Sequence, residues 1–106
     1  MKKSTDHSFK VKTPLGFIVR CTESYWEFIV TKKHPVMKDK QNSVIRALEN
    51  PDEVRRSRKD SNVYLFYKGK KPRWLCAVTR KDDADGFLIT AYPTDAIKIG
   101  DVIWKK

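Results

Sequence analysis

The amino-acid sequence predicts an α+β domain, with an N-terminal strand and two helices packed on a twisted antiparallel sheet of about four strands. Three observations lead there. Helix signals are confined to the stretch before Pro51, and strand signals dominate after it. A chain of 106 residues, 40% of them apolar and 11% aromatic, supplies one core and no second domain. Segregation of this kind places both helices on one face of the sheet and leaves the other open to a ligand. Residues 1–8 read as a flexible leader and residues 9–106 as the single domain.

Each element has a local warrant. Residues 15–21 are rich in β-branched and aromatic side chains after a turn bearing Pro14, which predicts the first strand. Ser24-Tyr25-Trp26-Glu27 has capping-box spacing, so helix one is expected to start at Ser24. Pro35 disfavours helical geometry at His34 and ends that helix, crowding Lys32, Lys33 and His34 at its C-terminus. Val44, Ile45 and Leu48 share one face of a second helix, with Asp39 or Asn42 as its cap and Asn50-Pro51 as its stop. Residues 54–59 and 63–67 flank Asp60-Ser61-Asn62 and read as a hairpin. Strands over residues 74–79 and 87–92 follow, joined by the Asp82-Asp83-Ala84-Asp85-Gly86 turn. Ile97-Lys98-Ile99 and Val102-Ile103-Trp104 supply a last strand or extension, with Gly100-Asp101 turning between them. In the 87–92 strand, alternation sends Phe87, Ile89 and Ala91 to the core and Leu88, Thr90 and Tyr92 to the ligand face.

Charge and counting narrow the function. Lys plus Arg number 23 against 13 Asp plus Glu, a formal net charge of +10, which makes nucleic acid the expected partner. The excess is shared, with ten basic and five acidic residues in 1–50 and thirteen and eight in 51–106, so it is not a basic tail. Cys21 and Cys76 lie far apart in apolar surroundings and read as small buried hydrophobes of a cytoplasmic protein. The first apolar run, residues 15–19, is too short for a membrane span, so no membrane partner is expected. Two histidines and two scattered cysteines make no metal site, Asp82-Asp83-Asp85 reads as a solvated turn, and neither a phosphate loop nor a nucleophile elbow is present. No cofactor is implied.

What survives is phosphodiester chemistry on RNA, in which the 2′-hydroxyl attacks the neighbouring phosphate and the protein supplies a base, an acid and hydrogen-bond donors. His34, at a helix end, is the candidate acid or base, its competing role being a simple helix cap. Thr90 and Tyr92 offer paired hydroxyls, although Thr and Tyr are also ordinary strand formers. Arg55 and Arg56 point to opposite faces, so one of them can meet a phosphate. Arg58, Lys59, Lys68, Lys70, Lys71 and Arg73 extend this basic stretch and are candidate RNA-binding residues. Tyr64, Phe66, Tyr67 and Trp74 interleave with it, as base-stacking or packing residues.

Several stretches together carry a resemblance: His34-Pro35 after a helix, residues 47–54, Ser57, residues 63–67, residues 87–92 and the Trp104 ending. Over residues 16–104 the chain resembles small phage and bacterial proteins of the barnase, EndoU, colicin and RelE nuclease superfamily. That resemblance implies helices followed by an antiparallel sheet. It also implies a scissile phosphate surrounded by a helix-end histidine, a basic residue early in the sheet and a late-strand Thr or Tyr. Here these correspond to His34, to Arg55 or Arg56, and to Thr90 and Tyr92. The expected function is a metal-independent endoribonuclease, a toxin or phage-derived effector, whose charge suits a small acidic antitoxin or immunity protein. Its rival is a non-catalytic RNA-binding module built on the same basic sheet.

Overall fold

The computed structural model describes residues 7–97 and 100–106. Residues 1–6 of the expected leader and the Lys98-Ile99 pair of the expected C-terminal extension lie outside the described residues. Among these described residues seven strands form one mixed sheet: β1 (His7–Lys12), β2 (Ile18–Thr22), β3 (Glu53–Arg56), β4 (Val63–Lys70), β5 (Arg73–Asp82), β6 (Asp85–Thr94) and β7 (Asp101–Lys105). Their order across the sheet is β1-β2-β6-β5-β4-β3-β7. β2 and β6 run parallel through Ile18↔Asp85, Val19↔Gly86 and Arg20↔Phe87, and the other neighbours are antiparallel.

The expectation of about four antiparallel strands is therefore corrected to seven strands with one parallel pair. β1 takes up His7 and Ser8, the last two residues of the expected leader. Its signal is the alternation of buried Phe9 and Val11 with exposed Lys10 and Lys12, a period of two that high charge makes easy to pass over. β7 closes the opposite edge against β3. The parallel pair joins strands more than sixty residues apart, a pairing that no local pattern encodes.

Two helices sit between β2 and β3. α1 (Glu23–Phe28) is capped by Thr22, whose side-chain oxygen accepts the Tyr25 N–H at 3.1 Å. The cap lies two residues before the expected Ser24, because the extended backbone of β2 leaves Thr22 already in N-cap geometry, at φ −77° and ψ 160°. A π-helical turn, Ile29–Lys33, continues α1 and closes with the His34 N–H donating to the Ile29 carbonyl at 2.8 Å. Pro35 then ends it and opens a single 3-10 turn, Pro35–Met37. α2 (Gln41–Glu49) stops at Asn50 as expected, but its N-cap is Lys40 with no side-chain bond, so neither Asp39 nor Asn42 caps it.

Both helices lie on one face. Val44, Ala47 and Leu48 of α2 meet Phe66, Val54, Ala77, Phe9 and Val11 in the main core, joined by Trp26, Ile29, Val30 and Met37. The other face holds a smaller cluster of Leu65, Tyr67 and Cys76, flanked by Val63, Trp74, Val78, Tyr92 and Ile97. This face is not as open as the sequence implies. β6 and β7 lie on opposite sides of β5, β4 and β3, and Ile97 from the segment joining them rests on the small cluster. Among the described residues, no helix is long and apolar enough to cross a membrane.

The face assignment along β6 needs a correction. Val78 pairs with Thr90 but Thr79 pairs with Leu88, so Ile89 is an extra residue in a β-bulge. The bulge resets the alternation. Leu88 and Ala91 face the helices, at 1% and 0% exposure, Ile89 is half-buried, and Phe87 is 43% exposed. Phe87 and Ile89 are thus not the core residues that strict alternation demands. Thr90 and Tyr92 do share the helix-free face, across from Val78 and Cys76.

Candidate functional site

The part of the helix-free face that Ile97 leaves uncovered contains a cavity of about 540 Å³. Its lining is Val63, Leu65 and Val78 from β4 and β5, Thr90 and Tyr92 from β6, and Ser57, Arg58 and Lys59 from the loop after β3.

The bulge that directs Thr90 and Tyr92 to this side is held from outside the sheet. β2 pairs with β6 only as far as Phe87, and beyond that point the Ile89 carbonyl accepts side-chain donors from the helix instead. The Tyr25 hydroxyl donates to it at 2.8 Å and Lys33 Nζ at 3.2 Å. The same Lys33 ammonium lies 5.9 Å from the Tyr25 ring centroid and 5.7 Å from that of Phe28.

Thr90 Oγ1 is buried and has no hydrogen-bond partner among the described residues. An unpartnered buried hydroxyl is costly, so an incoming acceptor gains from meeting it. Beside it, the Tyr92 ring lies 5.3 Å from the His34 ring at an interplanar angle of 43°. Burial, followed by the influence of neighbouring Cys76, pushes the Tyr92 phenol well above its usual range. Tyr92 therefore keeps its proton through neutral pH and can serve as a donor but not as a base. Cys21, on the helix-covered side, is pushed up to about 12 by burial and is an unreactive thiol.

The basic rim is tightly built. The Ser57 N–H donates to the Val63 carbonyl at 2.9 Å, and the Val63 N–H to the Asp60 carbonyl at 3.0 Å. The Asp60 carboxylate accepts the Asn62 N–H at 3.0 Å and pairs with Arg80 of β5. The Asn62 N–H first, and Arg80 second, hold the Asp60 carboxyl below the usual carboxylate range. Arg58 pairs with Asp101 at 3.1 Å with both side chains largely exposed, while Lys59 is exposed.

Thr90 and Tyr92 thus line one cavity with Arg58 and Lys59, and His34 meets the Tyr92 ring without lining that cavity. The other basic residues singled out from sequence do not join them. Arg55 is on the helix-free face but is held by Glu53. Arg56 lies on the helix side, its guanidinium 5.4 Å from the Tyr64 ring and donating to the Tyr64 hydroxyl at 3.3 Å. Lys68, Lys70, Lys71 and Arg73 sit at the far end of the β4–β5 hairpin, where Lys70 pairs with Arg73, and Lys68 Nζ donates to the Asn50 carbonyl. Because β4 runs from the cavity to that end, the basic stretch is split into two groups. Ser57, Val63, Leu65 and Val78 were not legible as site residues. Only Ser57 carries a signal, as a hydroxyl opening a polar turn before a strand.

Among the described residues, no group of three or more His, Cys, Asp or Glu side chains gathers as a metal site would require. No family model matches the chain, and neither a curated protein nor a solved structure matches it.

Proposed function

We propose that this chain is a metal-independent endoribonuclease acting at the cavity on the helix-free face. The reading is supported chiefly by the buried Thr90 hydroxyl, which has no partner among the described residues, at a cavity with a cationic rim that Tyr92 also lines, and by the His34 ring that lies against Tyr92. In the reaction, the RNA 2′-hydroxyl attacks its own 3′-phosphate, the bond to the 5′-oxygen of the next nucleotide breaks, and a 2′,3′-cyclic phosphate forms. One proton leaves the 2′-oxygen and one reaches the departing 5′-oxygen, and His34 serves as acid or base for that exchange. Thr90 and Tyr92 donate to the phosphoryl oxygens as charge develops on them, and Arg58 and Lys59 attract the phosphodiester backbone. Membership in the barnase, EndoU, colicin and RelE superfamily, a role as a toxin or phage-derived effector in the cytoplasm, and an acidic antitoxin or immunity partner belong to the same proposal.

The deciding experiment is incubation of the purified protein with RNA in excess EDTA. The expected outcome is cleavage with 2′,3′-cyclic phosphate ends, reduced about a hundredfold or more in His34→Ala. Intact RNA, retained with an affinity that falls steeply with salt, would instead identify a binding module.

A further inference from the structure

The proposed chemistry employs one wall of the cavity and leaves its floor without a role. Val63, Leu65 and Val78 form an apolar bed there, and the Tyr92 ring flanks it. At the rim, Ser57 Oγ accepts the Lys59 N–H at 3.2 Å and the Asp60 N–H at 3.4 Å. With its oxygen engaged as a double acceptor, the hydroxyl proton is left to donate. Arg58 and Lys59 make the same rim cationic. A phosphate group has no use for an apolar bed, whereas a nucleobase has apolar faces to lay on it and acceptors along its edge. The volume, about 540 Å³, lies within the range of pockets that enclose one small ligand.

We infer that the cavity is a pocket for a single unstacked RNA nucleobase, seated on Val63, Leu65 and Val78, with Ser57 donating to an acceptor on its edge. This inference rests on the RNA-directed reading above and specifies its substrate class. A base inside a duplex must leave its stack before it can enter, so the substrate is unpaired RNA and a stem is spared where its loop is cut.

The test titrates the full chain, by NMR of its backbone amides, with each of the four nucleoside 3′-monophosphates and with ribose 5-phosphate. At least one nucleotide is expected to bind about tenfold more tightly than ribose 5-phosphate. Val78→Phe, which fills the bed, should erase that advantage while ribose 5-phosphate binding stays unchanged. Ser57→Ala should weaken the preferred nucleotide several-fold. If Val78→Phe fails to fold, as its amide spectrum would reveal, the wild-type preference and Ser57→Ala decide. Equal affinity for nucleotides and ribose 5-phosphate in the wild type overturns the pocket, as does an advantage that neither variant reduces. A nucleotide preference without RNA cleavage would leave the pocket standing and remove the nuclease, and cleavage without a preference would do the reverse.

Discussion

The two faces of the sheet are built to different standards. On the helix side, Phe66, Leu48, Val44, Ile29 and Met37 are completely buried, and every strand from β1 to β3 contributes to one continuous core. On the other side, among the described residues, three buried residues and the resting Ile97 cover only part of the surface, and the Thr90 hydroxyl has no partner beside a cavity. The first arrangement maximises burial, which is what stabilises a domain of this size. The second leaves stabilisation unrealised, which is the pattern expected where polar groups are kept for a ligand.

Truncation tests that contrast most strongly. Phe66→Ala should cost about 3–5 kcal/mol in urea denaturation, as a full cavity in a closed core. Val78→Ala, at a half-buried position on the other face, should cost about 1 kcal/mol. Comparable losses would mean that the two faces bear load equally. Ile89→Ala belongs with the second group, because the bulge withdraws Ile89 from the core, whereas Leu88→Ala should lose about 2–5 kcal/mol.

Thr90→Val sharpens the comparison, since valine keeps the shape and removes only the unpartnered hydroxyl. Stability should be unchanged or raised by up to about 1 kcal/mol, while RNA cleavage falls about a hundredfold. Clear destabilisation would reveal a partner for that hydroxyl and weaken its assignment to the site. The smallest effect concerns the rim. Because the Asp60 carboxyl is held below its usual range in the folded chain, its contribution is present above about pH 4 and is lost as pH falls below that. Asp60→Asn should therefore lower the thermal midpoint more at pH 6 than at pH 2.5. An equal effect at both would show that the charge of Asp60 does not hold the turn.

How much of this was legible varies with the range of the interaction. The 3.6-residue pattern of Val44 and Leu48, the Asn50-Pro51 stop and the Asp60-Ser61-Asn62 turn all act within a few residues, and each is found where the sequence implies. Capping was only half legible, because Thr22 and Ser24 are chemically equivalent caps and the direction of β2 chooses between them. β1 was hidden by its lysines. The Arg55 to Arg73 basic stretch is continuous in sequence but split in space, since an eight-residue strand carries its two halves apart.

By itself, the sequence determined the α+β class, the two helices on one face, the basic character and the placement of Thr90 and Tyr92 on the same side of a strand. The tertiary structure alone decided that there are seven strands, that β2 joins β6 in parallel, that a bulge at Ile89 resets the core, and that Ile97 closes part of the free face. It also decided that His34 meets Tyr92, some sixty residues away. The physical reason is common to all of these. Propensity, capping and turn chemistry are set by neighbours along the chain, whereas register, bulges and cavities arise only when distant segments compete to bury their apolar faces and satisfy their backbone hydrogen bonds together.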